Sequence, residues 1–212
     1  DTYHCLTVVH PKGKHAFVSI GYPGMVGVIS GINDAGVAVA TLDVYQSADG
    51  APLFDATGCP LAMTYRRILE ECTTLAEAEA LLKASKRTTY MNLAAADREG
   101  AVVFEITPQT IGVRRPADGA LACTNHFELE GLSTGQPCRR MDALEAVGEG
   151  QRKFGVPEVQ AALHRVNQGV MTLQTMIFEP QSLRLHVAMG GAGPVSNHPL
   201  KVFSLAKWFA DP

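Results

Sequence analysis

Five glycines, at positions 21, 24, 27, 31 and 36, punctuate two apolar runs between Gly21 and Asp43, and few folds accommodate that pattern. Glycine at this density marks backbone that turns sharply or that other backbone approaches closely. The runs Val26 to Ser30 and Val37 to Leu42 are rich in β-branched residues and read as strands. Between them, Asn33-Asp34-Ala35-Gly36 supplies turn chemistry and a residue free to take positive φ. The pattern predicts a hairpin whose second strand ends on an acidic residue, Asp43. These glycines do not follow Gly-x-Gly-x-x-Gly between a strand and a helix, which argues against a nucleotide-phosphate cradle.

Upstream, Leu6 to His10 and Ala16 to Ile20 flank the turn Pro11-Lys-Gly-Lys14, so four strands are expected in succession. Periodicity then changes. Leu61, Tyr65, Ile68, Leu69 and Cys72 fall on one helical face behind Pro60, and Thr74-Leu-Ala-Glu77 fits a capping box opening a second helix over Leu75 to Ala84. Period two returns in Met91 to Ala96, the turn Asp97 to Gly100, Val102 to Thr107 and Thr110 to Arg114, with a short strand Leu121 to Thr124 ending at Asn125. Helices are expected over Arg139 to Val147 and Pro157 to Val166, joined by a polar connection. The strands Thr172 to Phe178 and Leu183 to Ala188 then precede an aromatic end, Val202 to Phe209. Strands, two helices, strands, two helices and a last hairpin fit an α+β fold: a four-layer αββα sandwich with antiparallel sheets.

With 212 residues, 46% hydrophobic and 18% charged, the chain can bury a full core, and residues 1-212 read as one domain. A net charge of -3 and Lys/Arg runs of at most two residues argue against a nucleic-acid partner. No apolar run reaches the ~18 residues of a membrane span. Asp1 at the start, just ahead of a strand, suggests that something precedes it in the gene product. The cysteines at 5, 59, 72, 123 and 138 show no metal-like pairing and read as reduced thiols, which points weakly to a cytoplasmic setting.

Several segments also match one family in order. They are Pro23-Gly24-Met-Val-Gly27 with Gly31-Ile-Asn-Asp-Ala-Gly36; the helix pair from Pro60 to Leu82; Asn92 through Asp97-Arg-Glu-Gly100 to Glu105; Thr124-Asn125-His126-Phe127; and Met176-Ile-Phe-Glu-Pro180 with Leu183 to Ala188. Over nearly its whole length the chain resembles the penicillin acyltransferase (isopenicillin-N acyltransferase) and choloylglycine hydrolase group of N-terminal nucleophile (Ntn) hydrolases. The resemblance implies a small-molecule substrate with a linear amide bond, attacked by an N-terminal cysteine that self-cleavage or methionine removal exposes. The cysteine's own α-amino group is the general base, the acyl group passes through a thioester, and no cofactor takes part. Homo-oligomerisation is left open.

One departure from the family pattern stands out. The nucleophile and the Arg/Asp segment that follows it precede the glycine-rich hairpin in the family, and neither is present in residues 1 to 20. The expectation is therefore that the chain lacks its N-terminal strands, that the nucleophile lies on a preceding segment, and that the chain alone is inert. The competing expectation is a non-catalytic αββα scaffold that binds a small amphipathic ligand or a partner protein.

By the same resemblance Asn125 is the asparagine that binds the oxyanion or the nucleophile's amino end; a turn cap is the plain alternative. Asp43 stands where the bile-salt branch carries an oxyanion-hole asparagine. A carboxylate donates no hydrogen bond unless protonated, so Asp43 would hold an ammonium group or orient a donor, or simply end a solvated strand. Arg140 corresponds to an arginine steadying the centre, or opens a helix. Tyr22 and Tyr45 would line an acyl pocket, or pack. Asn33 reads as a turn residue and His126 as structural. Cys59 precedes a helix rather than a strand, and Cys5 lacks the Arg/Asp partner downstream, so neither fits the nucleophile's role well.

Overall fold

The computed structural model describes residues 4–117, 119–148 and 153–210. Seven antiparallel strands form one sheet in chain order: β1 (Cys5–Val9), β2 (Phe17–Gly21), β3 (Ser30–Asn33), β4 (Ala38–Asp43), β5 (Met91–Ala96), β6 (Ala101–Ile106) and β7 (Ile111–Arg114). A second sheet has the order β10 (Lys201–Ser204), β9 (Arg184–Met189), β8 (Gln174–Glu179). The helices α1 (Leu61–Glu71) and α2 (Leu75–Ala84) are inserted between β4 and β5, and α3 (Arg139–Gly148) and α4 (Val156–Arg165) lie between β7 and β8. A short α5 (Ala206–Ala210) closes the described chain. Residues 1–3 and 149–152 of the predicted start and inter-helix connection lie outside the described residues.

Strand alternation divides the core in two. Phe17, Val37, Val39, Leu93 and Phe104 pack with Tyr65, Ile68, Leu69 and Leu82 of the first helix pair. Their neighbours in register, Val18, Ile20, Ile32 and Ala38, face Leu185, Val187 and Leu205 across the inter-sheet space. One sheet thus serves two apolar layers, as a period-two pattern with both faces covered requires.

The predicted hairpin forms, but its first strand lies further along: β3 begins at Ser30, and Val26 is 63% exposed in a loop. Two glycines explain the shift. At Gly27 a Cβ would stand 2.6 Å from Ala62 Cβ, because the loop passes tight against the start of α1, where the Val28 amide donates to the Ala62 carbonyl at 2.8 Å. At Gly31 a Cβ would stand 2.5 Å from the Val18 carbonyl oxygen, so the strand can run only where glycine allows β2 and Leu69 to close on it. Asn33 is the turn residue it resembled and more. Its Oδ1 accepts from the Val37 amide at 2.8 Å, while its Nδ2 donates to the Leu69 and Cys72 carbonyls at 3.0 and 2.8 Å, closing the C-terminal end of α1.

The capping box forms as predicted, with the Glu77 amide donating to Thr74 Oγ1 at 3.2 Å and the Thr74 amide to Glu77 Oε2 at 3.2 Å. Leu121–Thr124 is not a strand. It belongs to an irregular stretch, through Leu129, that crosses the inner side of the large sheet, and two side chains directly opposed on β5 and β6 satisfy its backbone. Asn92 Nδ2 donates to the Thr124 and His126 carbonyls at 2.9 and 2.7 Å. Glu105, wholly buried, accepts from the Glu128 and Leu129 amides at 2.9 and 3.0 Å and pairs with Arg114 Nε at 2.7 Å; Arg114 also donates to the Ala122 carbonyl.

Removing one partner of such a pair strands a buried charge and two amides, so Glu105→Ala should lower unfolding free energy by about 3–5 kcal/mol in urea titrations. Stability should also depend on pH. Burial pulls the Glu70 carboxyl up, but hydrogen bonds from Lys14 at 2.8 Å and Arg66 at 2.7 Å outweigh it, holding the group below its ordinary 4.5. A carboxyl depressed in the folded state contributes stability that is complete above 4.5 and lost as pH falls through the folded value. The urea midpoint should therefore drop below pH 4.5, with a shallower drop in Lys14→Ala.

Candidate active site

The end of β4, the crossing stretch and the first turn of α3 meet at one point. Asn125 Nδ2 donates to the carbonyl oxygen of Asp43 at 2.9 Å, and Arg140 Nη2 donates to Asn125 Oδ1 at 3.0 Å. A guanidinium only donates, so it settles which end of the Asn125 amide is oxygen. One Nδ2 proton is then spent on Asp43, and the other has no acceptor among the described residues. The result is a polarised N–H donor held by a cation behind it.

This donor borders a cleft of about 810 Å³. Its floor is the inner face of the large sheet at Ser30, Ala40, Leu42 and Ala94. Residues 120–123 form one wall, β8 contributes Gln174 and Met176, and Leu144 of α3 and Leu163 of α4 close the opposite side. Alanines on the floor leave the volume open, and the walls are mostly aliphatic. Hydrogen bonds from Gln160 Nε2 to the Ser196 and His198 carbonyls, at 3.1 and 2.8 Å, anchor α4 to the short helical turn Val195–Asn197.

Of the five residues singled out in the sequence, Asn125, Asp43, Arg140 and Tyr22 all border the cleft. Asp43 contributes its carbonyl to the triad of contacts; its side chain has the register of Val37 and Val39, toward the first helix pair, where burial, reinforced by the Asp43 charge, pushes the Tyr65 hydroxyl well above its ordinary pKa. Tyr22 meets His4 in a tilted ring contact, with centroids 5.0 Å apart and planes at 42°. Tyr45 is not brought in: it is 70% exposed and absent from the cleft wall, so a pocket role for it is not supported. Sequence reasoning passed over Asn92. Its signal was a lone amide in the otherwise apolar strand Met91-Asn-Leu-Ala-Ala-Ala96.

Among the cysteines, Cys123 borders the cleft, but burial pushes its thiol up to about 12, which leaves almost no thiolate at neutral pH. Cys72 is buried and pushed up to about 11. Cys5 Sγ lies 3.8 Å from Thr7 Oγ1 and does not border the cleft, and Cys59 is exposed beside Pro60. Among the described residues no cluster of three His, Cys, Asp or Glu gathers to hold a metal ion, and no helix is long and apolar enough to cross a membrane.

The conjugated bile acid hydrolase of Clostridium perfringens superimposes with a TM-score of 0.68 at 13% identity, covering 97% of this chain and 83% of that one. A Caenorhabditis elegans ortholog of N-acylethanolamine-hydrolyzing acid amidase gives 0.65 at 16% identity over 84% and 81% of the two chains. Penicillin V acylase of Agrobacterium tumefaciens gives 0.59 at 13% identity over 91% and 70%. These likenesses establish the αββα fold. In sequence, an uncharacterized Archaeoglobus fulgidus protein is 30% identical over 109 residues, a match that spans 50% of this chain and 18% of that protein. The model of the acyl-coenzyme A:6-aminopenicillanic acid acyl-transferase family matches residues 1–145. With that match over more than half its length, the chain belongs to this family of Ntn-type amide hydrolases and acyltransferases.

Proposed function

We propose that the whole protein cleaves a linear carbon–nitrogen amide bond through a cysteine thioester, and that residues 1-212 are the body of its single domain. The nucleophile lies on a segment preceding residue 1. The observation that carries this reading is the Arg140–Asn125–Asp43 chain of hydrogen bonds at the rim of the cleft, which presents one unspent amide proton.

In this mechanism the thiolate attacks the substrate carbonyl carbon, and Asn125 Nδ2 donates to the oxygen as it gains charge. Arg140 holds the donor in place and strengthens it through the charge behind Oδ1. The C–N bond then breaks, and the amine leaves carrying the proton taken from the thiol. Water hydrolyses the thioester to a carboxylic acid, or a second amine accepts the acyl group; either step returns the free thiol. Asp43 holds Asn125 through its carbonyl, and Tyr22 borders the acyl group's path.

Two observations support placing the nucleophile outside these residues. None of the described cysteines combines a place in the cleft with an accessible thiolate. In addition, β8 borders the cleft and among the described strands pairs only with β9, which leaves a strand edge able to pair with another segment at the cleft that Asn125 also borders.

Intact-mass analysis of the full-length product, treated with a thiol-directed amide or lactone analogue, should show one adduct on an N-terminal cysteine. Absence of an adduct overturns the reading in favour of a ligand-binding scaffold. In the same protein, Asn125→Ala should slow adduct formation by about 10²–10³-fold, as loss of one oxyanion donor does.

A further inference from the structure

We infer that Asn92 is a positioning residue for Asn125, an inference that rests on the functional reading above. Asn92 does not line the cleft and is wholly buried on β5, opposite Leu42 of the cleft floor. Its two Nδ2 protons go to the carbonyls of Thr124 and His126, the residues on either side of Asn125, at 2.9 and 2.7 Å. Each proton binds one carbonyl, so the amide plane of Asn92 and the backbone around Asn125 fix one another.

Rotating the Asn92 amide by half a turn would set its Oδ1 against both carbonyls, so a single orientation is allowed. Thr124 and His126 are two residues apart, and their carbonyls are held from the same side, as a neighbouring strand would hold them. Asn125 projects from the backbone between them. Its remaining side-chain freedom is taken up by Arg140 at Oδ1 and by the Asp43 carbonyl at Nδ2. Backbone clamp and side-chain contacts together leave the second Nδ2 proton one direction in which to point.

The arrangement is costly in hydrogen bonds. Asn92 Oδ1 is buried and has no donor among the described residues. An alanine, as at the next inward-facing position, Ala94, would avoid that unsatisfied acceptor. What the amide supplies in exchange is two bonds that both end on the segment carrying Asn125. Glu105, directly opposite on β6, holds the Glu128 and Leu129 amides, beyond the residues that frame the donor. Immobilising the donor therefore falls to Asn92 and holding the following turn to Glu105.

Asn92→Asp keeps the shape and removes the paired N–H donors. In full-length protein it should lower the maximal rate of adduct formation with the thiol-directed probe by about tenfold or more, with the probe's saturation constant little changed. A purely structural residue would lower the fraction of protein that reacts and leave the rate of that fraction alone. Independently, the ¹⁵N–¹H side-chain signals of Asn125 should shift or double in Asn92→Asp; unchanged signals overturn the inference whichever way the labelling falls. If the variant does not fold, wild-type hydrogen exchange decides. The Asn92 side-chain protons should exchange at least about a hundredfold more slowly than exposed amides, and exchange as fast as theirs overturns the clamp. Failure of the wild type to label overturns the functional reading, while the signals of Asn92 and Asn125 still report on the clamp.

Discussion

Irregular backbone laid across a sheet must find partners for its amides and carbonyls, because the surface beneath already spends its own on the ladder. In this protein the stretch from Leu121 to Leu129 lies in that position, and the side chains of Asn92 and Glu105, adjacent across β5 and β6, supply the partners. The pair divides the chemistry: an amide donates to carbonyls and a carboxylate accepts from amides. Arg114 neutralises the carboxylate and reaches the Ala122 carbonyl, so both ends of the crossing are tied to one small group of residues. Without these bonds the stretch that carries Asn125 would have no fixed height above the sheet.

The two faces of the large sheet follow different rules. Toward α1 and α2 the contacts are apolar and close, with Gly27 and Gly31 permitting approaches that a Cβ would prevent, and Asn33 closing the end of α1 from within the hairpin. Toward the second sheet, small residues such as Ala40 and Ala94 leave space, and the polar side chains of Asn92, Glu105 and Arg114 hold the crossing stretch. A rigid outer layer and a spacious inner one let the site be open while its donors stay fixed.

What the sequence made legible follows the range of the forces. Pro60 and the capping box at Thr74 and Glu77 act within a turn, and both first helices begin where those residues predict. The alternation in Met91 to Ala96 places β5 without error. Val26 to Ser30 misleads because its β-branched residues suit a strand, whereas the contact of Gly27 with Ala62 is made by a residue far along the chain. Leu121 to Thr124 misleads in the same way: nothing local says that its partners are the side chains of Asn92 and Arg114 rather than a neighbouring strand. β10, too, is set by pairing with β9 rather than by its own pattern. Asn125 and Arg140 could be picked out by family resemblance; that Asp43 meets Asn125 through its carbonyl, and that Tyr45 lies away from the cleft, depends on strand ends that only the folded chain defines.

The neutral thiol of Cys123 has a redox consequence. Disulfide exchange proceeds through thiolates, and a thiol held up to about 12 offers very little of that form at neutral pH. A reactive cysteine working in the same cleft would therefore meet a neighbour that resembles it in composition but not in nucleophilicity. Burial would insulate a catalytic sulfur placed there against capture from within its own fold, so that two thiols could share one cavity without becoming one disulfide.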